Sequence, residues 1–384
     1  MTDGVSPTYS ATARWSPADL AGIAAQQGAS LPLLSEADAR PVLPMLDLWD
    51  MWQLQHADGR MAAIGGREYW FFLATPRLPD PEDRHDHARI RLLSRSPGAG
   101  DWRDHGNVLP DGLNPGTREW SGSAVLEADG QTISLYYTAA GWRDGGPRFG
   151  QRLFVTQGRF DAAAMSGWTT PRELFGADGL HYRAANEDAP SDGMILGFRD
   201  PGFFRDPADG REYLLFTGSA PGNRVRHDGV IGIARRDGAG WRPLPPLVDA
   251  TGVNKELERP HLVFHAGRYY LFWCTHAARF APGIVAPTGL YGMVAEDLRG
   301  PWRPLNGTTL VAANPANEPM QAYCWWVTAE REVISFVDYR GIGPRGPADG
   351  AEARRAHFGG TVAAGFRLLL DGDRATIARA AATP

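Results

Sequence analysis

The chain has little cysteine, little net charge and no long apolar run, and each shortage excludes something. Among 384 residues there are only two cysteines, Cys274 and Cys324. Neither stands at a metal-ligand spacing, so no metal centre is expected from them. They read as two buried thiols, and a disulfide would require them to be neighbours in space. Basic and acidic side chains number 39 and 44, a net charge of −5 without blocks of one sign. Proteins that bind nucleic acid usually present a basic face, so no such partner is expected. No apolar run reaches the roughly 18 residues of a membrane-spanning helix, and no membrane partner is expected either. The opening stretch MTDGVSPTYSATARWSPADL lacks a basic segment followed by an apolar one, so no signal peptide is read in it, which leaves a cytoplasmic location or another export route open.

Glycine (46), proline (30) and tryptophan (13) are abundant. Glycine and proline punctuate turns between short strands, and surplus aromatics suit a binding site. One phrase, a turn followed by a short aromatic strand, returns five times: GGREYWFFLAT (65–75), DGQTISLYYTAA (129–140), DGREYLLFTGSA (209–220), AGRYYLFWCTH (266–276) and EREVISFVDYR (330–340). Each is followed by a second β-like run, at 88–96, 151–160, 229–237, 289–297 and 360–370. The first four units then close on Trp102, Trp168, Trp241 and Trp302. DG and AG turns between alternating aromatic and β-branched residues are hairpin signals. A period of roughly 55–80 residues suits a four-stranded sheet with elaborated loops. Five such sheets predict an all-β, five-bladed β-propeller as one domain over 1–384, with a β-sandwich as the alternative. Helical periodicity is confined mainly to 17–40, where SPADLAGIAAQQG opens on a Ser-Pro start signal and ends at glycine. Residues 1–44 therefore read as an extension carrying a short helix.

A propeller takes its site residues from the inner strands of successive repeats. In LDLWDMWQLQ (46–55), Asp50 lies between Trp49 and Trp52, which suits a sugar: indoles stack on its CH faces while a carboxylate meets its hydroxyls or anomeric carbon. A Trp-rich strand with solvated acids, Asp47 included, fits the same letters. GFRDPGFFRDPADG (197–210) gives Arg-Asp-Pro twice. Asp206, in the second copy, opens a hairpin, where aspartate is an ordinary turn-former. Asp200, in the first, sits inside an apolar run and needs a polar cavity to face. Pro201 beside it suits an innermost strand edge. In NKELERPHLVF (254–264), Glu256 and Glu258 alternate with Leu257 and so share a strand face. They form either a surface ion-pair cluster with Arg259 or a general acid beside a like charge. Taken together, three carboxylates on three repeats are what glycoside cleavage needs.

W-D-x-W near the start, EWSGSA (119–124), F-R-D-P, E-L-E-R-P-H and QAY (321–323), in that order, resemble glycoside hydrolase family 68. That family holds levansucrases, inulosucrases and some β-fructofuranosidases, five-bladed propellers that act on sucrose. The likeness runs from about 45 to 340. PEDRHDHARI (81–90) and ERPHLVFHAGRYYLFWCTH (258–276) look most like its Gram-negative branch. The resemblance implies Asp50 as nucleophile, Asp200, held by Arg199, as transition-state stabiliser, and Glu258 as general acid/base. Trp49, Trp120, Ser121 and Arg199 would line the fructosyl subsite; Glu256, His276 and Tyr323 would reach the glucosyl side. The implied partners are sucrose and fructooligosaccharide acceptors, the implied location is extracellular, and no cofactor is implied. Such a retaining mechanism needs Asp50 ionised, hence well hydrogen-bonded, and Glu258 protonated, hence buried near like charge.

The chain departs from the family pattern at several positions. His276 stands where Gram-positive members carry arginine, and Lys255 where they carry a calcium-binding acid, so no such calcium site is expected. Cys324-Trp325 replaces the usual Ser-His after Tyr323. A sucrose hydrolase, or a sugar-binding propeller without activity, fits the same motifs. Acceptor choice would rest on loops 77–90, 140–150 and 220–228.

Overall fold

The computed structural model describes residues 12–26, 28–161, 164–187, 194–222, 226–346 and 349–378. Residues 223–225, within one of the three loops singled out above, lie outside the described residues, as do both ends of the expected 1–384 domain. The five aromatic phrases are strands: Arg67–Pro76, Thr132–Ala140, Glu212–Ser219, Arg268–Thr275 and Glu332–Tyr339. Four of the following runs are their antiparallel partners, Arg89–Arg95, Gln151–Phe160, Gly229–Asp237 and Gly289–Ala295. The fifth, expected as one run over 360–370, is instead two strands, Phe358–Val362 and Phe366–Asp371, which pair with different stretches of Glu332–Tyr339. The closing tryptophans lie on or beside the next strand out and cover the sheets. Trp102 stands edge-on to Phe72 and Trp241 edge-on to Tyr136. Trp168 lies so close over Gly158 that a Cβ there would come within 2.8 Å of the indole.

Ahead of each phrase runs one more strand: Leu46–Gln55, Arg118–Leu126, Phe198–Arg205, Glu258–His265 and Ala322–Val327. Each pack against the next in chain order, and the last packs against the first, so the five strands close a ring. All five break register with their partners at the same place, between Trp49 and Trp52, Trp120 and Gly122, Arg199 and Gly202, Glu258 and His261, and Tyr323 and Trp326. Four of the breaks hold a non-glycine residue in the left-handed region: Asp50 (φ 45°), Asp200 (63°), Arg259 (51°) and Cys324 (60°). Such a conformation costs of order 1–3 kcal/mol, and a bulge re-aims side chains that strict alternation would send to opposite faces.

The N-terminal segment differs from expectation. Residues 17–40 contain no α-helix among those described, only the 3-10 turns Pro17–Leu20 and Ile23–Ala25. Ser16 does cap the first turn, in a capping box with Asp19. The chain is stretched because it is fastened at distant points. Ala13 and Arg14 pair with Val248 and Asp249, and Ser30 bridges Ala313. An α-helix, rising 1.5 Å per residue, shortens such a path. The α-helix among the described residues is Ala351–His357, and no helix is long and apolar enough to cross a membrane. Cys274 and Cys324 are both free and buried.

Candidate active site

The ring of bulges gathers the side chains that the motifs singled out. Asp200 accepts from the Ser121 hydroxyl (2.7 Å) and the Thr217 hydroxyl (2.9 Å), so three strands fix its carboxylate. Its backbone N–H donates to Thr138 Oγ1 at 2.9 Å, holding the strained residue in place. Arg199, expected to hold Asp200, comes only to 3.6 Å from it and bonds Glu258 instead, at 2.7 Å. Glu258 also accepts from the Tyr323 hydroxyl. Tyr323 stacks on His276, ring centroids 3.5 Å apart. Glu256 lies in the loop before the strand rather than sharing a strand face with Glu258. Yet it reaches the same guanidinium, 3.7 Å from Arg199, and bonds Arg279 at 3.0 Å. Trp49 stands edge-on to His85, whose carbonyl accepts from the Trp120 indole at 3.1 Å. The Trp49 indole N–H and Arg199 Nη1 are buried without a hydrogen-bond partner in the protein.

The other singled-out groups serve the framework. Asp47 is fully buried and gripped twice by Arg355, at 2.6 and 3.0 Å. Asp206 accepts from the Tyr269 hydroxyl (2.6 Å) and the Ala208 N–H (2.9 Å) at its turn. Lys255 forms a buried ion pair with Asp228 at 2.7 Å.

The resting electrostatics reverse the expected assignment. Burial pushes Asp50 up to about 6, helped by the charges of Asp200 and Glu258 and opposed by Arg259 and a hydrogen bond from Cys324. Burial pushes Glu258 up as well, but Arg199, His276 and the Tyr323 hydroxyl outweigh it and bring it down to about 2. The contrast is one of contact: Glu258 receives a guanidinium directly, whereas Arg259, the cation facing Asp50, gives its hydrogen bonds to Met51 O and Cys324 Sγ. His276 is driven down to about 4 by burial, so its ring is neutral at pH 7.

Sequence reading missed a second layer. Arg259, given no role beyond one of two readings as a surface cluster, is buried, donates to Met51 O at 2.8 Å and faces Asp50. The 3-10 turn Pro81–Asp86 delivers Arg84, which packs on Phe358 (4.5 Å) and near Trp49 (5.8 Å). Asp338, behind Arg84, has a buried oxygen with no partner, and burial raises it to about 7. Its signal was present: a charge inside the apolar run VISFVDY, the same anomaly that marks Asp200.

A class of protein follows from this arrangement: an all-β enzyme that works on sugars. The chain belongs to the levansucrase/invertase family, whose model matches residues 5–232 and 226–382. It is 33% identical to levansucrase LscC of Pseudomonas savastanoi pv. glycinea, over 94% of this chain and 90% of that protein. It is 32% identical to an extracellular sucrase of Zymomonas mobilis, over 76% of each. Among solved structures, an inulosucrase from Halalkalicoccus jeotgali bound to kestose superposes with a TM-score of 0.84 at 36% identity, covering 96% of this chain and 95% of that one.

Proposed function

We propose that the protein is a retaining fructosyltransferase of the levansucrase type, secreted, and built as a five-bladed propeller. In this reading it releases glucose from sucrose and passes the fructosyl group to sugar acceptors or to water. Five inner strands closing a ring, each paired antiparallel with its own aromatic strand, support five blades, and the first two inner strands also pair in parallel, which joins two blades into one ten-stranded sheet. The observation that carries the activity is the meeting of Asp50, Asp200 and Glu258, from three different inner strands, beside unpartnered Trp49 and Arg199 donors. The names of the relatives support sucrose as donor, and the kestose-bound inulosucrase supports short fructans as acceptors.

Asp50 attacks C2 of the fructosyl unit as Glu258 protonates the departing glucosyl oxygen, and a covalent fructosyl-Asp50 forms. Ser121 and Thr217 hold Asp200 where it binds fructosyl hydroxyls and tightens as oxocarbenium character develops. Glu258 is ionised at rest, so it must gain its proton as the complex forms. Arg199 can release it, because Asp200 and Glu256 both lie within 3.7 Å of that guanidinium. Glu258 then takes the acceptor's proton as the intermediate is resolved. Trp49 and Trp120 wall the fructosyl subsite, and Glu256, His276 and Tyr323 face the glucosyl side. Concentrated sucrose, with free glucose and free fructose assayed separately, tests this. Glucose in clear excess of fructose is expected; equal amounts would make the protein a sucrose hydrolase, and no glucose would remove the activity altogether.

A further inference from the structure

The five bulges are equivalent positions of one repeated strand, and they carry Asp50, Ser121, Asp200, Arg259 and Cys324 in turn. Asp50 and Asp200 already have work in the mechanism, and Ser121 holds Asp200. Arg259 supplies the positive charge that faces Asp50, which leaves Cys324 as the member with no assigned role. It is 2% exposed and in the left-handed conformation.

Its sulfur is flanked on two sides. Arg259 Nη1 donates to Cys324 Sγ at 3.4 Å, while Arg259 Nη2 donates to the Met51 carbonyl, the residue after Asp50. Both contacts sit at the Asp50 bulge, so the thiol lies beside the nucleophile's strand. Behind it lies the Cys274 sulfur, whose own S–H goes to the Trp325 carbonyl at 3.3 Å. We propose that Cys324 is a positioning residue for the nucleophile: its sulfur accepts from Arg259, whose other nitrogen holds the Met51 carbonyl, and so keeps the countercharge fixed beside Asp50. The inference rests on the reading of Asp50 as nucleophile.

The thiol is suited to this because burial keeps it protonated: Cys324 is raised well above the ordinary thiol value. The charged and titratable groups around Asp50 are Asp200, Glu258, Arg259, Cys324 and, from the neighbouring strand, Asp338. Removing the Cys324 sulfur loosens Arg259 from its place beside Asp50 and weakens the charge that favours the ionised form, so Asp50 should hold its proton to higher pH.

The test compares Cys324→Ala, Cys324→Ser and Cys274→Ala by pH profile of kcat/KM and by kcat and KM separately. Cys324→Ala should lower kcat roughly tenfold with KM little changed, and move the limb near pH 6 upward by about half a unit or more. Cys324→Ser keeps a donor and an acceptor, so its limb should stay at or below the native position and its kcat within about threefold. An unmoved limb in Cys324→Ala would overturn the proposal. So would an equal shift in Cys274→Ala, which would mean that any repacking behind the site moves the titration. If Cys324→Ala fails to fold, the serine variant decides: a tenfold kcat loss there overturns it. Acid-quenched native enzyme is digested in parallel. A fructosyl group on a peptide lacking Asp50 would sink the nucleophile assignment itself, whereas a labelled Asp50 with indifferent Cys324 variants would sink only this inference.

Discussion

Asp50 stands under two opposed demands, ionisation for attack and burial for reactivity, and its pKa of about 6 records the compromise. A retaining mechanism needs one proton on the Asp50–Glu258 pair, and with values near 6 and 2 the pair holds one proton between those limits. kcat/KM for sucrose should therefore be highest below about pH 6 and fall about tenfold per unit above it; rates at low sucrose across pH 4–8 would check this. The same burial has a stability cost. Asp50 binds its proton more tightly folded than unfolded, so its contribution is fully favourable below the unfolded value and is lost as pH rises through 6. Asp50→Asn should therefore stabilise the fold at pH 7.5 by up to about 3 kcal/mol, and much less at pH 4, while cutting turnover about 10⁴-fold or more. Paired thermal melts and sucrose assays measure both. Glu258→Gln should lose turnover similarly while still binding sucrose. At this scale Asp50 and Asp200 were legible because each interrupts an apolar or indole-rich run, and Glu258 through its spacing from Glu256 and the motif around it. Arg84 was not, since PEDRHDHARI reads as a polar loop and only its 3-10 turn carries the guanidinium to Trp49 and Phe358.

At the scale of the element, the bulge in each inner strand decides what the site can hold. Gly122 follows it directly in the second strand, where a Cβ would come within 1.9 Å of the Tyr136 carbonyl. Gly122→Ala must push the two strands apart, costing about 2–3 kcal/mol or preventing folding. It should also displace Ser121 from Asp200, so folded enzyme should lose turnover well beyond what the unfolded fraction explains. Asp206→Asn is the control: outside the ring, it gives up part of the Tyr269 and Ala208 bonds, costs about 1 kcal/mol and leaves kcat near native. Denaturant midpoints with kcat per folded molecule separate the two; a large kcat loss in Asp206→Asn would mean the second Arg-Asp-Pro copy carries the chemistry. The aromatic strands were legible because alternation and turn glycines are local signals. The bulges were not, because nothing local in WDMW, RDPG or ERPH distinguishes a break in register from continued pairing. The split of 360–370 was hidden for the same reason: which partner each half finds is a tertiary choice.

For the whole molecule, the N-terminal segment acts as a strap across the later sheets. Trp15 is fully buried, donates to Thr309 Oγ1 at 3.0 Å and packs on Trp273, Phe280 and Tyr291. Farther along, Leu34 N–H donates to Gln321 Oε1 at 3.0 Å and Gln321 Nε2 donates back to the Pro32 carbonyl at 2.8 Å. The apolar residues of 17–40 thus have partners some three hundred residues away, which is why a helical period read locally did not become a helix. A strap fastened to the sheets of Glu258–His265 and Ala322–Val327 should contribute to stability without touching the ring's side chains. Trp15→Ala should therefore cost about 3–5 kcal/mol, the scale for deleting a buried aromatic, and lower the unfolding midpoint in denaturant. kcat and KM at 25 °C should stay within about twofold for the molecules that remain folded. A fall in kcat with the fold intact would instead mean that the strap sets the spacing of the fourth and fifth inner strands, and with it the approach of Tyr323 to Glu258.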